Sequence, residues 1–230
     1  GPEGIITQTA GNDWDLATPL PPREVLSRLR RAGVTAVPIG FEHGTVAAVI
    51  DGVSYEITTF RHDLEYRDGR HPTVRFAQSL EDDLMRRDFT VNALALDLES
   101  GEILDLFGGL RDLRDRIIRT VGDPEFRFRE DYLRMLRATR FAAKLEGPIE
   151  PETRAAVLRN APLIQNVSPE RVREEILKLL SYRQPSQGFA WMHDTGLLLY
   201  ILPELESGFG VGQNRFHADD VAWHTLHAVD

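Results

Sequence analysis

E-D-D-L-M-R-R-D-F-T-V-N-A, residues 81–93, is the stretch on which the reading of this 230-residue chain turns. Ser79 stands where a helix N-cap belongs, and Asp82 follows three residues on, the position of a capping-box partner. The stretch therefore reads as a helix. On it Arg86 and Arg87 directly precede an acid, Asp88, and Asn92 shares the Asp88 face at four residues' distance, with Thr90 between them. Two guanidinium donors beside a carboxylate and an amide suit a site that grips phosphates and a ribose hydroxyl. The same residues also make an ordinary salt-bridged, solvated helix face, so the flanking sequence has to decide.

Upstream, the chain is mixed α and β. Residues 22–31 read as a helix ending at Gly33, and 45–50 and 53–60 flank Asp51-Gly52, a strong hairpin signal. Residues 63–72, polar and containing Asp68-Gly69-Arg70, read as a loop. Downstream, 94–98 and 102–107 form a second hairpin about Ser100-Gly101, and Phe107-Gly108-Gly109 marks a hinge. Beyond it strand signals nearly vanish. Helical patterns run over 130–145, 151–160, 169–182 and 186–193, punctuated by Gly147-Pro148, Pro162, Ser168-Pro169 and Gln184-Pro185. The expected fold class is α+β, a small mixed-sheet head followed by an all-helical region.

Composition narrows the function. With 42% hydrophobic and 27% charged residues the chain has the profile of a soluble globular protein. It has no cysteine, which excludes disulfides and thiolate metal sites and is compatible with a reducing cytoplasm. No apolar run approaches the roughly 20 residues that span a bilayer, so no membrane association and a cytoplasmic location are expected. The net charge of -9 conceals a local surplus: between Arg111 and Arg159, twelve basic residues face nine carboxylates. It is local surplus that makes a phosphate-binding surface.

The acids supply a second element. Asp13 and Asp15 are two apart, so on a strand both carboxylates face one side and can share a hard divalent cation such as Mg²⁺. In 53–60, Glu56 is an acid in the middle of an otherwise β-prone strand. Three acids on adjacent strands fit two-metal phosphoryl transfer.

At this point a family resemblance emerges. D-W-D-L-A-T (13–18), H-G-T-V (43–46), Y-E-I-T-T-F-R (55–61), Y-R-D-G-R-H-P (66–72), R-R-D-F-T-V-N-A (86–93), D-L-F-G-G-L-R-D-L (105–113), R-T-V-G-D-P (119–124), E-D-Y-L-R-M-L-R-A-T-R-F (130–141) and S-P-E-R-V-R-E-E (168–175) occur in order. Together they resemble the bacterial-type, class II tRNA nucleotidyltransferases, the CCA-adding enzymes, and their poly(A) polymerase relatives, over about residues 11 to 182. The resemblance implies a polymerase β-like head over 1–107, a helical neck carrying the base-binding motif over 108–182, and the start of a helical, HD-like body over 183–230. It implies that Asp13 and Asp15 bind the catalytic metals, Mg²⁺, with Glu56 as third carboxylate. Arg86, Arg87, Asp88 and Asn92 would select the ribose and hold the triphosphate. Glu130, Asp131 and Arg134 would act as a protein template for CTP and ATP, with Asp131 and Arg134 three residues apart on one helix face, offering an acceptor pair and a donor fork to base edges, and Arg137 on the next step of that face. Glu170, Arg171 and Glu175 match a helix-stabilising motif, with Arg171 and Glu175 expected to pair at i,i+4. The implied partners are tRNA, CTP and ATP.

Two segments depart from the family pattern. The Gly-Gly-x-x-Arg-Asp segment expected before D-x-D is not matched by G-P-E-G-I-I-T-Q-T-A-G, residues 1–11, which leaves the head incomplete at its N-terminal side. Asn214-Arg215-Phe216-His217 and His224-Thr225-Leu226 resemble the start of an HD-type domain without the His-Asp pair, a truncated one. The alternatives are addition of A alone, poly(A) addition, a catalytically impaired RNA-binding fragment, and an HD-type phosphohydrolase with an accessory head. Gly40-Phe41-Glu42-His43-Gly44-Thr45, lacking the basic stretch of the poly(A) polymerases, and the Asp68-Gly69-Arg70 loop favour CCA addition.

Overall fold

A computed structural model of the chain describes residues 15–66, 72–77, 79–212 and 219–230. Asp13, Asp68-Gly69-Arg70 and His217 lie outside the described residues. The chain divides into two compact units, Gly1–Leu64 with Thr73–Asp83, and Glu65–Pro72 with Leu84–Asp230.

The first unit is built on a four-stranded mixed sheet. Strands β1 (Asp15–Thr18), β2 (Thr35–Gly40), β3 (Thr45–Ile50) and β4 (Val53–Thr59) lie in the order β1-β4-β3-β2. β3 and β4 form the hairpin read from Asp51-Gly52, whose φ values of 50° and 80° are the left-handed pair that a tight two-residue turn requires. β1 enters parallel to β4, with Asp15 opposite Glu56 and Leu16 opposite Ile57. Pro38, which has no N–H to give a ladder, sits on the edge strand β2, within the register shift between Val37 and Gly40. Helix α1 (Pro22–Arg31) carries Pro22 in its first turn and is followed by Gly33 at φ 75°. It buries Val25 and packs on β2 and β3. β5 (Arg61–Tyr66) and β6 (Pro72–Phe76) pair as a two-stranded ribbon, so the strand reaches into residues read as loop.

Short helix α2 (Leu80–Met85) is capped by Ser79, whose hydroxyl accepts the Asp82 N–H at 3.2 Å. It ends at Met85. Arg86, Arg87 and Asp88 therefore lie beyond the helix and Asn92 is on no α-helix, contrary to the sequence reading. Residues 86–88 turn, Phe89 bridges Thr120, and Thr90–Asn92 make one 3-10 turn.

In the second unit β7 (Leu94–Leu96) and β8 (Ile103–Asp105) form the expected hairpin, with Gly101 at φ 71°. After it the described residues are helical: α3 (Gly109–Arg114), α4 (Pro124–Glu130), α5 (Leu133–Leu145), α6 (Pro151–Asn160), α7 (Pro169–Leu180), α8 (Ser186–Asp194), α9 (Leu198–Ile201), α10 (Pro203–Glu206) and α11 (Val221–His227). Proline begins α4, α6 and α7, where a missing N–H costs nothing. α5 lies at the centre. One buried cluster joins its Met135 and Leu136 to Val157, Leu179, Met192 and Leu198, and a second joins Ala138 and Ala142 to Phe89, Ile118 and Ile149. Residues 118–121 act as a seam. The Thr90 N–H donates to the Arg119 carbonyl, Val121 N–H to Asp88, Ile118 N–H to Pro148 and Glu150 N–H to Ile118.

The helix read over 130–145 begins three residues later, at Leu133, and Glu130 closes α4 instead. Asp131 has φ -157° and ψ 107°, extended backbone that separates α4 from α5. Its carboxylate accepts the Leu133 N–H at 3.1 Å, the local hydrogen bond by which aspartate competes with helical continuation.

Candidate functional site

Asp15 and Glu56 are register partners on adjacent parallel strands, which places their side chains on one face of the sheet. Both are exposed. Ala47 on β3 and Val37 on β2 complete that row, whereas the alternate positions Leu16, Ile57, Val46 and Ala48 are apolar. Two hard carboxylates side by side are a donor set that suits Mg²⁺. Among the described residues no group of three His, Cys, Asp or Glu is gathered for a metal, and Asp13 lies outside them.

The segment after α2 belongs to the second unit. Asp88 is buried and wholly engaged. Its Oδ1 accepts the Phe89 N–H at 2.9 Å and Asn92 Nδ2 at 3.0 Å, and its Oδ2 accepts Arg137 Nε at 2.7 Å. Asp88 and Asn92, expected on one helix face, do meet through a hydrogen bond, although a turn rather than a helix brings them together. Burial pushes the Asp88 carboxyl up, but the Arg137 charge and these hydrogen bonds outweigh it and hold the group below its ordinary range. Burial likewise pulls Arg137 down and the Asp88 charge more than restores it. Arg86 and Arg87 are half-buried.

Around α4 and α5 the arginines and acids interlock. Glu130 Oε2 accepts Arg127 Nη1 at 2.7 Å and also Arg134 Nη1. Arg134, buried, donates further to the carbonyls of Arg127 and Arg86 at 3.2 and 3.3 Å. Asp131 does not share a helix face with Arg134, because the chain is extended there. It is held instead by Arg171 of α7, from Nη2 at 2.7 Å and Nη1 at 3.2 Å. The expected Arg171–Glu175 pair is also replaced: Glu175, 2% exposed, accepts Arg140 Nε at 2.5 Å and Lys178 Nζ at 3.0 Å, with Arg137 at 3.7 Å. Burial raises the Glu175 carboxyl, yet Arg140 and its other cationic neighbours hold it low.

The fold thus brings Asp88, Asn92 and Arg137 together, and sets Glu130 on Arg134, while Asp131 faces a helix 40 residues away in sequence. Sequence reading passed over Arg127, which binds Val121 O, Glu130 and Met85 O through its three nitrogens. The Arg127–Glu130 spacing of three was the available signal. Arg140, on the same helix as Arg137, was missed as well.

A mixed sheet presenting paired carboxylates, and a helical unit dense in arginine–acid pairs, define the class as a nucleotidyltransferase-type head with a helical neck. Comparison with known proteins gives the family. Residues 4–119 match the model of the poly A polymerase head domain, and 148–209 match one described as the probable RNA and SrmB-binding site of polymerase A. The chain belongs to the poly A polymerase head-domain family. It is 47% identical over 186 residues to the CCA-adding enzyme of Bacillus licheniformis, covering 80% of this chain and 46% of that protein. To the CCA-adding enzyme of Levilactobacillus brevis it is 48% identical, over 82% of this chain and 47% of the relative. It superposes on the crystal structure of the Bacillus stearothermophilus CCA-adding enzyme in complex with CTP at TM-score 0.77 and 42% identity, covering 86% of this chain and 47% of that one. A tRNA nucleotidyltransferase complexed with a primer tRNA and an incoming ATP analog matches at TM-score 0.67 and 30% identity, over 90% of this chain and 56% of that one. The chain spans about half the length of the curated relatives it matches.

Proposed function

We propose that this chain is the nucleotide-adding part of a tRNA nucleotidyltransferase that attaches CMP and AMP, from CTP and ATP, to a cytoplasmic tRNA 3′ end without a nucleic-acid template. The observation that carries the chemistry is the register of Asp15 against Glu56 on one sheet face. The choice of reaction is supported by relatives of 47% and 48% identity that are CCA-adding enzymes. Residues 1–107 serve as head, 108–182 as neck and 183–230 as the beginning of the body.

Asp15 and Glu56, with Asp13 by family resemblance, would hold Mg²⁺. Bound there, Mg²⁺ supplies Lewis acidity that favours the attacking 3′-oxygen and neutralises triphosphate charge. Arg86 and Arg87 supply cationic donors for phosphate oxygens. Asp88 and Asn92, braced by Arg137, present a fixed surface to the ribose. The Asp131 carboxylate accepts from the exocyclic amino group that C and A carry and U lacks, while Arg134 donates to ring acceptors. A site built to pair specific edges rejects the wrong base because its buried polar groups are left unpaired.

Transcripts of one tRNA ending at the discriminator base, C, CC or CCA, each incubated with one labelled nucleotide and Mg²⁺, test this reading. C joins the first two, A joins the third, and the fourth stays unextended. Addition of A alone to the CC end identifies the A-adding activity, runs of A identify poly(A) addition, and no incorporation on any end overturns the proposal.

A further inference from the structure

We infer that the outer face of α1 is a contact surface for the phosphodiester backbone of RNA, formed by Arg23, Arg30 and Arg31. The helix has two opposed faces. Val25 is buried and Leu26 and Leu29 half-buried, whereas the three arginines are exposed and fall within about 100° of arc on the other side. The one acid of the helix, Glu24, is taken by Arg28 at 2.6 Å. Arg23, Arg30 and Arg31 form no ion pair among the described residues.

Arg114, Arg129, Arg173 and Arg183 likewise form no ion pair among the described residues, but on α1 three such arginines share one helix face. The chain carries 36 carboxylates against 27 lysines and arginines. Elsewhere Arg119, Arg127, Arg137, Arg140, Arg159 and Arg171 each grip a carboxylate. Three neighbouring arginines without an ion-pair partner among the described residues, in a chain of net charge -9, leave a concentrated positive field on an acidic chain. Arg23 and Arg30 stand seven residues, about 10 Å, apart along the helix. The patch therefore meets a polyanion at two or three points. RNA is favoured over an anionic membrane because α1 offers no exposed apolar face to insert beside its arginines.

This inference rests on the chain acting on RNA, and its test needs neither nucleotide nor Mg²⁺. Binding of a tRNA transcript is measured by anisotropy between about 50 and 200 mM salt for the unaltered chain and for the triple variant Arg23→Gln, Arg30→Gln, Arg31→Gln. The variant should bind at least tenfold more weakly and lose about 2 from the slope of log K against log salt, at an unchanged melting temperature. The matching triple lysine variant should restore the slope. An unchanged slope in the glutamine variant, absence of RNA binding by the unaltered chain, or loss of binding to vesicles of anionic lipid with RNA binding retained, each overturns the inference. If the chain binds RNA through these arginines yet extends no tRNA end, the inference stands and the proposed reaction falls.

Discussion

Asp131 accepts two hydrogen bonds from Arg171 and one from the Leu133 N–H, so in the free protein the carboxylate proposed to read the base is already occupied. A nucleotide must share or displace Arg171. Arg171→Ala should therefore alter base choice as well as stability. The expected result is a lowered preference for CTP and ATP over UTP in single-nucleotide incorporation, with a stability loss of about 1–3 kcal/mol. Unfolding in urea with unchanged base preference would reduce the pair to a structural tie. Asp15 and Glu56 lie at the other extreme: both are exposed, and their side chains make no hydrogen bond or ion pair among the described residues. Asp15→Asn and Glu56→Gln should change stability by no more than about 0.5 kcal/mol. Incorporation of every nucleotide should fall on the order of 10³-fold. Turnover at the normal rate by the folded double variant would remove the acid pair from the mechanism.

At the scale of elements, the end of α2 is set from afar. Arg127 Nη2 binds the Met85 carbonyl and Arg134 Nη2 the Arg86 carbonyl, satisfying groups that a helix leaves open at its C-terminus. Arg127→Ala removes that bond together with those to Val121 O and Glu130, and should cost about 3 kcal/mol, read from denaturant midpoints. Gly109, at the start of α3, has a different constraint. An added Cβ would lie 2.1 Å from the Thr90 carbonyl oxygen, so Gly109→Ala should lower stability by about 2 kcal/mol through backbone displacement. These examples show what the sequence made legible. The β3–β4 hairpin was readable because Asp51-Gly52 encodes its own turn, and α1, α6 and α8 because proline and glycine mark their ends locally. The breaks at Met85 and Asp131 were not, because residues 81–93 and 130–145 carry no breaker. Partners 40 to 49 residues distant in sequence, Arg127, Arg134, Arg137 and Arg171, decide the geometry there. Motif order proposes candidate site residues, but which acid each arginine would take depended on that packing.

Across the second unit, buried acids make stability depend on pH. Asp88 and Glu175 are held below their ordinary values of 3.8 and 4.5. A depressed carboxyl contributes stability that is present above its unfolded pKa and is lost as pH falls through the folded one. The melting temperature should therefore stay level from neutrality to about pH 5 and decline below 4.5, first through Glu175 and then through Asp88. Glu175→Gln should flatten the upper part of that decline. It should also lower stability at neutral pH by about 3 kcal/mol, since Arg140 is left buried without its counter-charge.

The seam at 118–121 ties the Asp88–Thr90 turn to the α5–α6 connection through four backbone bonds, and Phe89, Ile118 and Ile149 are sealed beneath it. In heavy water, the amides of Thr90, Ile118, Val121 and Glu150 should then exchange as one set, at the slowest rate, set by opening of the whole unit rather than by fraying of any helix. Deuterium entering Thr90 well before Ile118 would show that the turn carrying Asp88 opens on its own.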